Sequence, residues 1–136
     1  MSEYISILIV NQSLSETGVI ANAAFVLGLT AGRYLPDETF GPDVIDGERH
    51  THMYLTRIGH YVRKAGSSKL RTLRQTFAEM EGVRVVDYTE DAAPADYSAY
   101  ETALGAHSGE DIFYRAIHVY GPADALIPLT KNLSRL

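Results

Sequence analysis

A single amide, Asn22, lies near the start of GVIANAAFVLGLTAG (residues 18–32), whose other side chains are almost all apolar. An unpaired buried amide costs roughly 1–3 kcal/mol, so such a segment should either hydrogen-bond its asparagine or use it. On a helical wheel Asn22 shares its side with Gly18, Phe25, Val26 and Leu29, while Ile20, Ala23, Ala24 and Leu27 lie opposite. A helix apolar on both sides is covered on both sides. A sheet can cover one; a helix, a partner subunit or a ligand must cover the other. Gly18 would let a backbone or ligand approach the start of this helix closely. Two readings of Asn22 stay open: it recognises a ligand, or it bonds a neighbouring loop carbonyl.

Other residues with chemical potential are less organised. DGERHTH (46–52) holds Asp46, Glu48, His50 and His52, and alternate histidines on a strand would point the same way towards a metal. Scattered polar residues in a loop are the commoner reading, so no metal and no cofactor is expected. His118 falls mid-strand and His107 in a loop, but there is no G-x-S-x-G elbow to pair a serine with either. No P-loop or G-x-G-x-x-G is present. Tyr97 and Tyr100 are read as packing residues of a short helix, and Tyr88, Tyr114 and Tyr120 as strand residues.

These residues need a scaffold, and 136 residues suffice for one domain spanning 1–136. YISILIV (4–10) reads as a buried strand. SLSE (13–16) has capping-box spacing and opens a helix through about Thr30, closed by Ala31-Gly32. Residues 33–50, rich in Gly, Pro and Asp, read mainly as a loop. Residues 51–65 are strand-like with a break at Gly59. Leu70, Leu73, Phe77 and Met80 recur at helical spacing between Ser67 and Glu81, stopped by Gly82. A strand over 83–89, a helix over 94–104, a strand over 111–121 and a helical turn broken at Pro128 complete the chain. The alternation predicts an α/β sandwich with a small mixed sheet, residues 4–10 central and helices on both sides.

The 17 acidic residues leave a net charge of −5, yet none falls between Glu48 and Glu79. That interval holds Arg49, Arg57, Arg63, Lys64, Lys69, Arg71 and Arg74. If these groups lie beside the first helix, Arg71 and Arg74 make a cationic groove mouth for an anion. The absence of cysteine fits the cytoplasm, the N-terminus lacks the marks of a signal peptide, and no apolar run matches a membrane span.

The fragments ILIVNQSLSETGVIANAAFVLGL and AIHVYGPADALIPLTKNLSRL resemble the peptidyl-tRNA hydrolase type 2 fold, with Gly-Pro after a late strand and Thr130-Lys131-Asn132-Leu133 at the end. Asn22-Ala23-Ala24, Val85-Val86-Asp87-Tyr88-Thr89 and Leu129-Thr130-Lys131-Asn132-Leu133-Ser134 are similar to motifs of domain-of-unknown-function family 2000. The resemblance implies an α/β sandwich of that type and places Asp87 where the hydrolases carry an aspartate implicated in activity. Their helical lysine is replaced here by Val19, and their Asp-Ala-Gly-x-Thr by Asp87-Tyr88-Thr89. The expectation is therefore a binding module for a small anionic or RNA-like ligand, held by Gly18, Asn22, Asp87, Arg71 and Arg74. The alternative is a hydrolase of peptidyl-tRNA or a related ester, with a rearranged set in which Asp87 and Thr89 are catalytic beside Asn22. The uncovered side of the first helix further suggests a homodimer.

Overall fold

The computed structural model describes residues 3–136. In chain order the elements are β1 (Tyr4–Asn11), α1 (Thr17–Tyr34), β2 (Val44–Ile45), β3 (Thr51–His52), β4 (Gly59–Ala65), α2 (Ser67–Ala78), β5 (Arg84–Thr89), α3 (Tyr97–Gly105), β6 (Tyr114–Pro122), α4 (Ala123–Thr130) and β7 (Ser134–Arg135). Five strands form one mixed sheet in the order β5-β6-β1-β4-β7, while β2 and β3 make a separate hairpin. β1 runs parallel to β4 and antiparallel to β6. The β-branched run of β1 is therefore central, as its unbroken apolar character requires.

Strand alternation divides this run between two cores. Ile5, Ile7 and Ile9 pack with Leu70, Leu73 and Phe77 of α2 and with Ala123 and Leu126 of α4. Val10 and partly buried Leu8 face α1 instead, beside Ala23 and Leu27. Helices thus cover both faces of the sheet. α1 covers the other face, with Ala92, Phe40 and Ile58 packed at its margins.

The first helix begins and ends for reasons other than those expected. Ser13 does not cap it: its N–H and hydroxyl both donate to Asn11 Oδ1, at 3.0 and 2.8 Å. Asn11 is 1% exposed, and a buried carbonyl oxygen claims the nearest donors two residues on. The helix starts at Thr17 after Glu16, without a side-chain cap. It runs through Gly32 to Tyr34, because the stop is Pro36, which holds the preceding Leu35 extended at φ −66° and ψ 137°.

Residues 51–65 are not one interrupted strand. Thr51–His52 pairs with Val44–Ile45 across a turn, and only Gly59–Ala65 joins the main sheet. The helix α4 also continues past Pro128. The missing N–H falls on the exposed side of that helix with Asp124 and Ile127, where water can take the freed carbonyl. Gly82, at φ +77°, makes the left-handed turn that feeds β5.

Candidate functional site

Among the described residues β5 is a sheet edge, bonded to β6 alone, and alternation sends its side chains to opposite faces. Val86 and Tyr88 pack towards α1. Asp87 points the other way, where its Oδ2 accepts from Arg74 Nε of α2 at 3.2 Å. Tyr88 donates its hydroxyl to Asn22 Oδ1 at 3.0 Å. The lone amide of the first helix is thus neither buried nor bound to a loop carbonyl. It is exposed, and Tyr88 anchors its oxygen while its Nδ2 remains available.

A groove of about 550 Å³ opens along this edge. Asn22, Val26 and Thr30 of α1 form one wall; Pro94, Asp96, Tyr97 and Tyr100 form the other; Val86, Asp87 and Tyr88 make the floor. Tyr97 and Tyr100 meet edge to face at 5.5 Å between ring centres. Tyr97 is 74% exposed, so it presents an aromatic surface to the groove instead of packing a core, contrary to expectation. Burial, followed by the Asp87 carboxylate nearby, raises the Tyr100 hydroxyl above the ordinary phenol range, which keeps it a neutral donor. Asp96 is already committed, accepting from Ala99 N at 3.2 Å as the cap of α3.

A second depression of about 470 Å³ continues around the same edge and shares Thr30 and Val86 with the first. Tyr34, Arg74 and Arg84 line it, and the Arg84 guanidinium stacks 5.6 Å above the Tyr34 ring. The edge therefore carries one trough, cationic at the Arg84 end and aromatic at the other.

This arrangement divides the residues anticipated from the sequence. Asn22 and Asp87 reach the groove from opposite faces of β5, and they share it only because that strand has a free edge. Arg74 reaches the trough, but Arg71 does not line it; its Nη2 lies 3.5 Å from the Glu110 carbonyl. The basic interval is dispersed because its residues belong to a hairpin, a strand and a helix on the far face from α1. Thr89 is 1% exposed, does not line the groove, and its hydroxyl has no hydrogen-bond partner among the described residues. A Cβ at Gly18 would meet nothing within 4 Å, so no close approach requires glycine there. Asp46 accepts from the backbone N–H groups of Glu48 and His50 and from His52 Nε2; it organises a turn. Arg84 and Tyr34 were not anticipated, since only strand order could reveal that they flank an open edge.

Residues 6–136 match the family model described as protein of unknown function (DUF2000). The chain belongs to the DUF2000 family. No curated protein matches this DUF2000 chain. Among solved structures it is similar to a protein of unknown function from Agrobacterium tumefaciens, with a TM-score of 0.81 at 16% identity over 100% of this chain and 99% of that one. That likeness concerns the fold.

The DUF2000 chain also holds a polar line that sequence reading missed. Ser6 Oγ lies 2.7 Å from His118 Nε2, and Tyr34 Oη lies 2.7 Å from His118 Nδ1. Burial, with a smaller contribution from His60, lowers the His118 pKa to about 4, so the ring is neutral at pH 7. Burial, partly offset by Arg84, pushes Tyr34 up to about 12. The available signal was one polar residue in each of two apolar strands, Ser6 in YISILIV and His118 in AIHVYG.

Proposed function

We propose that this DUF2000 protein is a cytoplasmic binding module for a small anionic or RNA-like ligand, and specifically for a nucleotide unit laid along the β5 edge. One observation carries the reading: along the β5 edge Arg84, with Arg74 paired to Asp87, lies at one end and Tyr97 and Tyr100 at the other, with the Asn22 amide on the α1 wall. A nucleotide has this polarity. Its base can stack on a tyrosine face, its exocyclic groups can meet the Asn22 amide, and its phosphate can face arginine. The alternative, hydrolysis of peptidyl-tRNA or a related ester, has less support, because Asp87 is engaged by Arg74 and Thr89 lies outside the groove. A peptidyl-tRNA hydrolase type 2-like relationship is part of this proposal, supported by the Gly121-Pro122 entry into α4 and the Thr130–Leu133 ending.

Titration with a 5′-mononucleotide and with a short single-stranded RNA tests the reading. Arg74→Ala should weaken binding mostly through a salt-dependent term, since exposed charges are screened over about 10 Å at 0.1 M salt. Arg71→Ala, outside the trough, should alter binding less than Arg74→Ala. Equal loss from both variants would point to a diffuse basic surface and contradict the trough.

Phe25 and Leu29 on the outer side of α1 are 66% and 65% exposed, which supports a homodimer with a second copy covering them. Light scattering at micromolar concentration should then give twice 15.0 kDa, and Leu29→Glu should return the monomer. A monomeric wild-type protein would contradict this assembly.

A further inference from the structure

The Ser6–His118–Tyr34 line opens on a separate pocket of about 270 Å³ on the α1 face of β1 and β4. Leu8, Leu27, Gly28, Leu35, Phe40 and Val62 make its walls apolar. Ser6 and His118 are part of its floor, while Thr56 and His60, hydrogen-bonded to each other, add polar groups at its side. His60 stands beside Ser6 in the β1–β4 register, on the same face. The pocket exists because α1 lies over β5 and β6 and leaves the neighbouring half of its own face uncovered.

Three features distinguish this line from an ordinary core hydrogen bond. The serine and histidine come from adjacent strands, 112 residues apart in sequence. The second ring nitrogen is held by a third group from a different element. An apolar pair would fill two interior strand positions without burying polar atoms. A nucleophile hydrogen-bonded to a base, with the base oriented by a third group, is the geometry of an activated hydroxyl.

We propose that Ser6 is an activated nucleophile and that its pocket accepts the acyl chain of a small ester. With the His118 proton on Nδ1 and directed at Tyr34 Oη, Nε2 presents its lone pair to the Ser6 hydroxyl. Ser6 Oγ bonds to the ester carbonyl carbon as its proton passes to Nε2. The ester C–O bond then breaks, and the departing alcohol takes that proton from Nε2. Water, deprotonated by the same nitrogen, attacks the acyl-serine; the acid leaves, and the proton returns to Ser6. Tyr34 is a positioning residue, holding the tautomer without touching the substrate.

The test treats the intact chain with a fluorophosphonate probe and with p-nitrophenyl acetate and butyrate. The expected result is one adduct, mapped to Ser6, and ester turnover abolished by Ser6→Ala. Tyr34→Phe should remain folded, slow turnover several-fold and shift the pH–rate midpoint. The titratable groups around His118 are Tyr34 from α1 and His60 from β4, with Arg84 over the Tyr34 ring. Ser6→Ala should melt cooperatively, close to the wild type, so that its lost adduct reports the missing hydroxyl and not misfolding. Absence of any adduct on the wild-type chain, or an adduct that persists in Ser6→Ala, overturns the proposal.

Discussion

Acidification from pH 7 to pH 4 is expected to remove about 3 kcal/mol of folding stability through His118 alone. The unfolded chain binds this proton near 6.5, whereas the folded chain binds it only near 4. Between those values the unfolded state holds more protons, so stability rises with pH across the window. The contribution is complete above about pH 6.5 and is lost as pH falls towards 4. Its cause is burial: the ring is 7% exposed, so its charged form would give up hydration for two neutral hydroxyl partners, Ser6 and Tyr34. Denaturant melts at pH 7, 5.5 and 4 measure it, with His118→Gln as the comparison. The variant should be less stable at pH 7 and lose less on acidification. Parallel pH profiles for the two proteins would show that His118 does not resist protonation in the fold.

Asn11→Ala should cost on the order of 2–3 kcal/mol, well above the effect of Asn22→Ala on stability. Asn11 is buried at the carboxyl end of β1 and joins three segments. Its Nδ2 donates to Ser67 Oγ at 2.9 Å and to the Tyr114 carbonyl at 3.0 Å, while its Oδ1 accepts twice from Ser13. Truncation leaves the buried Tyr114 carbonyl without this partner and unties the loop at Ser13 and the start of α2 at Ser67. Asn22 makes one hydrogen bond at an exposed position, and water replaces what its loss removes. Thermal melts of the two variants side by side provide the check. Equal destabilisation would mean that the Asn11 network adds nothing beyond one surface bond.

The contrast between these two asparagines shows how far the sequence was legible. Apolar periodicity placed β1, α1, α2 and β6, because the physics that sets that period also buries those residues. Asn22 was noticed because its helix is apolar, but a wheel cannot tell which apolar side stays open to solvent. Asn11 directly follows the apolar run of residues 4–10, and its network depends on Ser67 and Tyr114, which only the tertiary fold brings near. Arg74 and Asp87 meet for the same reason, across α2 and an edge strand. The Ser13–Glu16 spacing misled because a buried asparagine outcompeted the helix for the serine. The Ser6–His118 contact joins positions 112 residues apart, and no local pattern announces such a pair.

The most direct test of the nucleotide trough is one variant measured two ways. Asn22→Ala should weaken binding of the 5′-mononucleotide roughly tenfold, by an amount that stays constant from low to high salt, as expected when a ligand group loses its hydrogen-bond partner. Its melting temperature should stay close to that of the wild type. A melting temperature that falls while nucleotide affinity is unchanged would make Asn22 only the acceptor that holds Tyr88, and it would remove the amide from the site.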